Sequence, residues 1–287
     1  VKRWALLVPA VSLYFLLVPS LAHYLTTEHQ KIAISFPATK NVLKAVSLDQ
    51  GFLIGEYMVV KVITFFGGRS TPDAQPLKQG DYAIMYRNLD VATALDPYNN
   101  DAYYFAQATF SWEVGEFAGT NQLLEYGMKY RTWDHYLPYF VGFNYSYFLK
   151  DPSSAVKYYQ KAAEISGDGL FMSLAGRNLY ESGRTAEAMA YCKIMIDSTK
   201  NESIRRFLKK RFKALSAVRK IEQAREQFRT QSGIEPITIR QLSSSGLLKE
   251  LPVDPYGGTF FIDNKGLVRT TSNFTEGWNK NGNKDKH

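Results

Sequence analysis

With 287 residues, 45% of them hydrophobic, the chain can bury a sizeable core and has room for one extended repeat array or two compact domains. A formal charge of +8 favours anionic partners such as phospholipid headgroups, nucleic acid or acidic proteins, without choosing among them. One cysteine, Cys192, excludes an intramolecular disulfide and every Cys-rich metal site, and its apolar setting at 190–195 reads as that of a small buried hydrophobe.

Lys2 and Arg3 precede an apolar run at 4–25, interrupted by no ionisable side chain except His23, Tyr14 and Tyr24. Roughly 20 apolar residues suffice for an α-helix to cross about 30 Å of hydrocarbon. Trp4 and Tyr24 suit the two interfaces, and the Lys-Arg pair places the N-terminus in the cytoplasm and the body outside. A cleavable signal peptide accounts for the same residues, with Ser20-Leu21-Ala22 as its small-x-small site. The apolar run continues to Leu25, which favours an anchor. The expected location is the inner membrane, single-pass, with the body facing the periplasm or exterior; cleavage of residues 1–22 would make it periplasmic or secreted. A second apolar stretch, 52–66, carries Glu56 and Lys61 and is short for a crossing, so a buried amphipathic helix is expected there.

A repeat runs through the middle of the chain. Gly183-Arg-Thr-Ala-Glu-Ala188, followed by Cys192 and Met195, has a Gly-x-x-x-x-Ala cadence, with Leu174, Gly176 and Leu179 supplying a preceding helix. An upstream copy has Gly142 and Tyr145, then Ala155, Tyr159 and Ala162, and Ala155 stands 33 residues before Ala188. A third copy runs from Tyr103 to Trp112, turns at Gly115-Glu-Phe117, needs one extra residue there, and continues to Leu123, Leu124 and Gly127. A fourth ends at Leu89, Ala92, Leu95, Asp96 and Pro97. The pattern resembles the tetratricopeptide (TPR) superfamily over about residues 44–200, whose period is about 34 residues. Small residues at Gly142, Ala162, Gly176 and Ala188 would let paired helices approach, and Tyr145, Tyr159 and Leu179 would fill the gaps. No unit of this kind buries its apolar face alone, so neighbours must stack.

Residues 201–221 read as one long helix, with Ile204, Phe207, Leu208, Phe212, Leu215, Val218 and Ile221 on an apolar face. Arg205, Arg206, Lys209, Lys210, Arg211 and Lys213 occupy the remainder. That is a solvated face on a capping helix or a contact for anionic lipid or an acidic partner. Arg205, Arg206, Lys209, Lys210 and Lys213 are the candidates for it. No recognised nucleic-acid motif accompanies the charge, so nucleic acid is not expected as a partner.

From about residue 217 the character changes: a helix, then Gly246-Leu-Leu-Lys-Glu-Leu-Pro252-Val-Asp254-Pro255-Tyr-Gly257-Gly258, then an alternating stretch that turns at Asn264-Lys-Gly266. Over 217–272 this resembles the C-terminal region of type II secretion major pseudopilins. Two features depart from that family. A repeat array separates the module from the membrane segment, and the acidic calcium-binding loop is not evident, so no metal is expected.

The expected fold is therefore mostly α: a TPR-like helical-hairpin solenoid, preceded by a single transmembrane helix and followed by a small α+β module. The segments are an anchor or signal peptide at 1–25, repeats at 26–200, a basic capping helix and linker at 201–230, the pseudopilin-like module at 231–272, and a polar tail at 273–287. Four scattered histidines, no His-Glu-x-x-His, no P-loop and no Gly-x-Ser-x-Gly elbow leave no catalytic motif, so neither an enzyme nor a cofactor is expected. The TPR resemblance implies a concave face lined by first helices, here Phe105, Trp112, Tyr136, Tyr139, Phe143, Tyr147, Arg177 and Tyr180. An aromatic groove of that kind suits a protein or peptide ligand. The function expected is a membrane-anchored scaffold at a bacterial-type envelope, an adaptor or assembly factor for a pilus, secretion or surface-filament system. The alternative is a structural subunit of a pseudopilin-related apparatus.

Overall fold

The computed structural model describes residues 13–22, 34–69 and 76–274, and the chain divides into two compact units, 1–132 and 133–287. Lys2, Arg3, Trp4, Tyr24 and most of the expected polar tail lie outside the described residues. What is described is mostly helical, with one two-stranded sheet.

The first unit holds α1 (Leu13–Ala22), α2 (Lys40–Ser47), α3 (Gly51–Arg69), α4 (Gln79–Leu95), α5 (Asn100–Ala106) and α6 (Phe117–Met128). Here α3 packs on α4, α4 on α5, and α5 on α6. Gly55 permits the first of these contacts, because a Cβ there would stand 3.0 Å from the Ala92 carbonyl oxygen. At the next junction α4 stops at Asp96-Pro97, and the Asn99 side chain caps α5 by accepting from the Ala102 N–H at 3.0 Å. Helix α5 then runs on into π-helical turns at Gln107–Val114, closed by Gly115 at φ 74°. A π turn takes up one residue more than an α turn.

The second unit contains α7 (Tyr136–Phe143), which passes into π turns at Asn144–Phe148, then α8 (Pro152–Ser166), α9 (Gly169–Glu181) and α10 (Thr185–Ser198). It continues with α11 (Glu202–Ser232), α12 (Ile239–Ser244), β1 (Phe260–Ile262) and β2 (Val268–Thr270). From α7 to α11 each helix packs on the next. Asp151, Asp168 and Asn201 cap α8, α9 and α11, each accepting a backbone N–H of the first turn. Gly142 lets α7 approach α8, since a Cβ there would meet the Tyr159 ring at 3.0 Å; Ala162 and Ala188 are fully buried. Gly176 differs, because a methyl group there would sit at an ordinary 3.8 Å from the Cys192 sulfur.

The expected boundary between residues 230 and 231 falls inside α11, which is one continuous helix of 31 residues. One apolar core runs from Val156 and Phe171 through Leu208, Leu215 and Ile221 to Leu242, Tyr256, Val268 and Phe274. Each such side chain, fully buried, contributes about 1.5–3 kcal/mol. Phe274, expected at the start of the polar tail, is 3% exposed and belongs to this core. The two strands pair antiparallel with Phe261 opposite Arg269, and the expected turn is present at Gly266, φ 75°. There the Asp263 carboxylate accepts the N–H groups of Lys265 and Leu267.

The second apolar stretch departs from expectation. Helix α3 has 19 residues and, among the described residues, is the helix long and apolar enough to cross a membrane. Gly55, Met58, Val59, Val62 and Phe65 are buried, yet the opposite side is largely apolar: Phe52, Leu53, Tyr57, Val60 and Ile63 are exposed there, with Glu56 among them. The helix is apolar on both faces rather than amphipathic.

Candidate partner-binding surfaces

The eight residues expected to line a groove fall in both units. In the first, Phe105 is half-buried with its ring edge-on to Phe66 at 5.5 Å, a packing contact with α3. Trp112, carried outward on the π turns, is 57% exposed.

In the second unit, α7 presents a continuous aromatic surface. Tyr136 stacks on Phe140 at 6.1 Å, and Phe143 stacks on Tyr147 at 5.0 Å and an interplanar angle of 17°. Lys150 holds its ammonium 4.8 Å above the Tyr147 ring. Tyr136 and Tyr147 are exposed, whereas Tyr139 and Phe143 are half-buried. Tyr139 leans on Tyr159 and Phe171, and burial, then the neighbouring Tyr136, raises its hydroxyl pKa above the usual phenol value. Arg177 lies exposed on α9 and pairs with Glu181 at 2.6 Å, a surface pair of small energetic weight.

Tyr180 is not a groove residue. It is 5% exposed, its ring lies 4.6 Å from that of Phe274, and the Arg269 guanidinium sits 5.2 Å from its centroid. Arg269 also donates to the Tyr180 and Glu181 carbonyls at 3.0 and 2.8 Å, tying β2 to the end of α9. Burial pushes the Tyr180 hydroxyl up to about 12 against the opposing pull of Arg269.

The basic face divides similarly. Arg206, Lys209 and Lys213 are exposed and lie on one stripe of α11, at spacings of three and four residues. Arg205 is occupied at the end of α10, donating to the Ile196 and Thr199 carbonyls and pairing with Glu202. Lys210 is half-buried with its ammonium 4.6 Å from the Tyr256 ring.

Arg211, assigned by charge to the solvated face, is 5% exposed. Its guanidinium stands 5.4, 5.6 and 4.8 Å from the rings of Phe207, Tyr256 and Phe274. Among the described residues no carboxylate pairs with it, and burial lowers its pKa. The helical phase carried the signal. Leu208, Arg211, Leu215 and Val218 are spaced three and four apart, which places Arg211 within the apolar stripe.

The Leu-Pro-x-Asp-Pro-Tyr-Gly-Gly segment has a structural reason. Asp254 is buried and accepts from the Ser272 hydroxyl at 2.6 Å, from the Tyr256 N–H at 2.8 Å, and from the Thr270 hydroxyl, joining the loop to β2. Gly258 closes against them, because a Cβ there would lie 2.6 Å from the Ser272 nitrogen and 2.7 Å from Asp254 Oδ2. Beside this loop is an open apolar cleft of about 920 Å³, lined by Ile237, Leu251, Val253 and Phe261 among others. Ile237 and Val253 are 79% and 81% exposed. Among the described residues no group of three His, Cys, Asp or Glu side chains is placed to hold a metal ion.

Within each unit these observations define a class: consecutive helices packed on their chain neighbours, with exposed aromatic side chains in both units and a small α+β element sharing the core of the second. No known family model and no curated protein matches this chain.

Proposed function

We propose that this chain is a membrane-anchored, TPR-type scaffold that binds protein partners at a bacterial-type envelope, as an adaptor or assembly factor for a pilus, secretion or surface-filament system. The observation that carries the reading is the α7 surface. Tyr136 on α7 and Tyr147 on the π turns that continue it remain exposed while Leu137, Pro138, Val141 and Gly142 are buried, and rigid aromatic side chains are the usual anchors of protein interfaces. The apolar helix α1 supports the anchor, because its leucines, Tyr14 and Phe15 are all exposed rather than packed into the first unit. Arg206, Lys209 and Lys213 are available to anionic lipid headgroups or an acidic partner.

The alternative, a structural subunit of a pseudopilin-related apparatus, draws on the apolar cleft beside β1. Affinity capture from detergent-solubilised membranes separates the two. Tyr136→Ala/Tyr147→Ala removes the aromatic surface, and Ile237→Asp/Val253→Asp makes the cleft polar; all four positions are exposed, so the fold should persist. A partner lost with the first pair alone supports the scaffold. Loss with the second pair alone transfers the function to the C-terminal module, and retention by both overturns the proposal.

A further inference from the structure

The outer face of α2 and α3 carries more exposed apolar surface than a water-facing helix pair requires. Phe52, Leu53, Tyr57, Val60 and Ile63 are each between 37% and 65% exposed on α3. On α2, Val42 and Val46 are 52% and 65% exposed, and Leu48 after it is 82% exposed. Leu48 is also held at φ 48°, a conformation that a leucine rarely adopts. Exposed apolar side chains in this number on one helix pair mark an interaction site.

We propose that this face lies on the phospholipid bilayer, so that the first unit rests on the membrane through α2 and α3 rather than hanging from its anchor. The inference rests on the membrane-anchored reading above. Two observations select lipid over protein. First, α1 is exposed along its whole described length, Leu13 through Ala22. A protein partner covers one stripe of a helix, whereas hydrocarbon covers all of it. Second, the chain from Ala22 to Ile34 spans at most about 40 Å, which bounds the distance of α2 from the end of α1 and leaves a seat on the same membrane within reach.

The charge on the same stretch is consistent with an interfacial position. Lys44 is exposed, and Lys61 is half-buried at the side of α3, where a long basic side chain can reach headgroups. Glu56, which shares the outer face, has its carboxylate engaged by the Asn99 amide. Helix α3 is long enough to span a membrane, but Met58, Val59, Val62 and Phe65 are buried in the first unit, with α3 packed on α4. Lying flat keeps that packing and leaves the opposite face to lipid.

The test uses the full chain in phosphatidylethanolamine/phosphatidylglycerol vesicles, with an environment-sensitive fluorophore on single introduced cysteines. Cys192 is 1% exposed and its thiol is pushed up to about 11 by burial, so it stays unlabelled in the folded protein. Leu53→Cys and Val60→Cys report on the face, Leu16→Cys on the anchor, and Lys161→Cys on a water-exposed control. The expected result is severalfold weaker iodide quenching at positions 53 and 60 than at 161, with strong quenching by lipids brominated near the headgroup. Iodide quenching equal to the control would place the face in water. Protection from both iodide and bromolipid would place protein on it, and maximal quenching of position 60 by lipids brominated at the chain ends would make α3 a span. Each of these overturns the inference. If the Leu16 probe is lipid-quenched while the other two are not, the inference alone fails. If the Leu16 probe also escapes lipid, the anchored reading fails with it.

Discussion

The guanidinium of Arg211 donates to the backbone carbonyl of Phe274 at 3.3 Å, while the ring of the same residue lies 4.8 Å from the guanidinium carbon. A residue of the long helix is thus held by main chain and side chain of the last described residue. Tyr256 and Phe207 close the remaining sides. A planar, weakly hydrated cation suits such an aromatic setting better than an ammonium does.

Arg211→Lys should therefore destabilise the protein by about 1–3 kcal/mol, because a strongly hydrated point charge is buried without the planar fit. Arg211→Met removes the charge and keeps most of the volume, and should cost less than the lysine. Urea midpoints of the two variants decide the order. A lysine variant as stable as wild type would show that the aromatic surroundings contribute little.

Gly258→Ala should cost about 2–4 kcal/mol, since the new methyl would meet a backbone nitrogen and the Asp254 carboxylate at well under contact distance. Gly142→Ala meets only an aromatic ring at 3.0 Å and should cost less. Thermal unfolding of both variants tests the ranking.

Tyr180→Ala and Tyr147→Ala should behave oppositely, although both positions were expected on one groove. The first empties a buried site between α9 and β2 and should cost about 3–5 kcal/mol. The second truncates a side chain that is 51% exposed and should shift stability by less than about 0.5 kcal/mol while weakening partner capture. Equal losses of stability would mean that Tyr147 is also structural.

The hairpin predicts a pH dependence. Burial alone would raise the Asp263 pKa, but the Leu267 and Lys265 N–H groups and the Arg269 side chain outweigh it and hold the carboxylate below its ordinary value. A group depressed in the folded state binds its proton more readily when unfolded. Its stabilisation is then fully present above the ordinary aspartate range and is lost as pH falls through the folded pKa. Wild type should lose stability relative to Asp263→Asn as pH drops below about 4, the ordinary aspartate value. Parallel stability curves for the two proteins between neutral pH and pH ~3 would remove Asp263 from the acid response.

Much of the second unit was legible in the chain. The Gly-x-x-x-x-Ala cadence marked the turn at Gly183 and the buried Ala188, and Asn264-Lys-Gly266 marked the hairpin turn, because turns and close helix contacts accept few residue types. The periodicity of α11 also fixed which of its faces is apolar. It did not show what that face packs against, so the continuity of α11 with the C-terminal module and the burial of Tyr180 and Phe274 were not foreseen. Those depend on residues up to 89 positions apart, as in the Arg269 bond to the Tyr180 carbonyl.

By itself, then, the sequence determined the helical class, the pairing of neighbouring helices and the local turns, since each follows from side-chain size, backbone freedom and apolar spacing within a few residues. Tertiary structure alone decided which rings enclose Arg211, those of Phe207, Tyr256 and Phe274, and that the apolar residues Tyr57 and Val60 are exposed. Burial depends on which elements meet across long stretches of chain, and composition carries no record of that meeting.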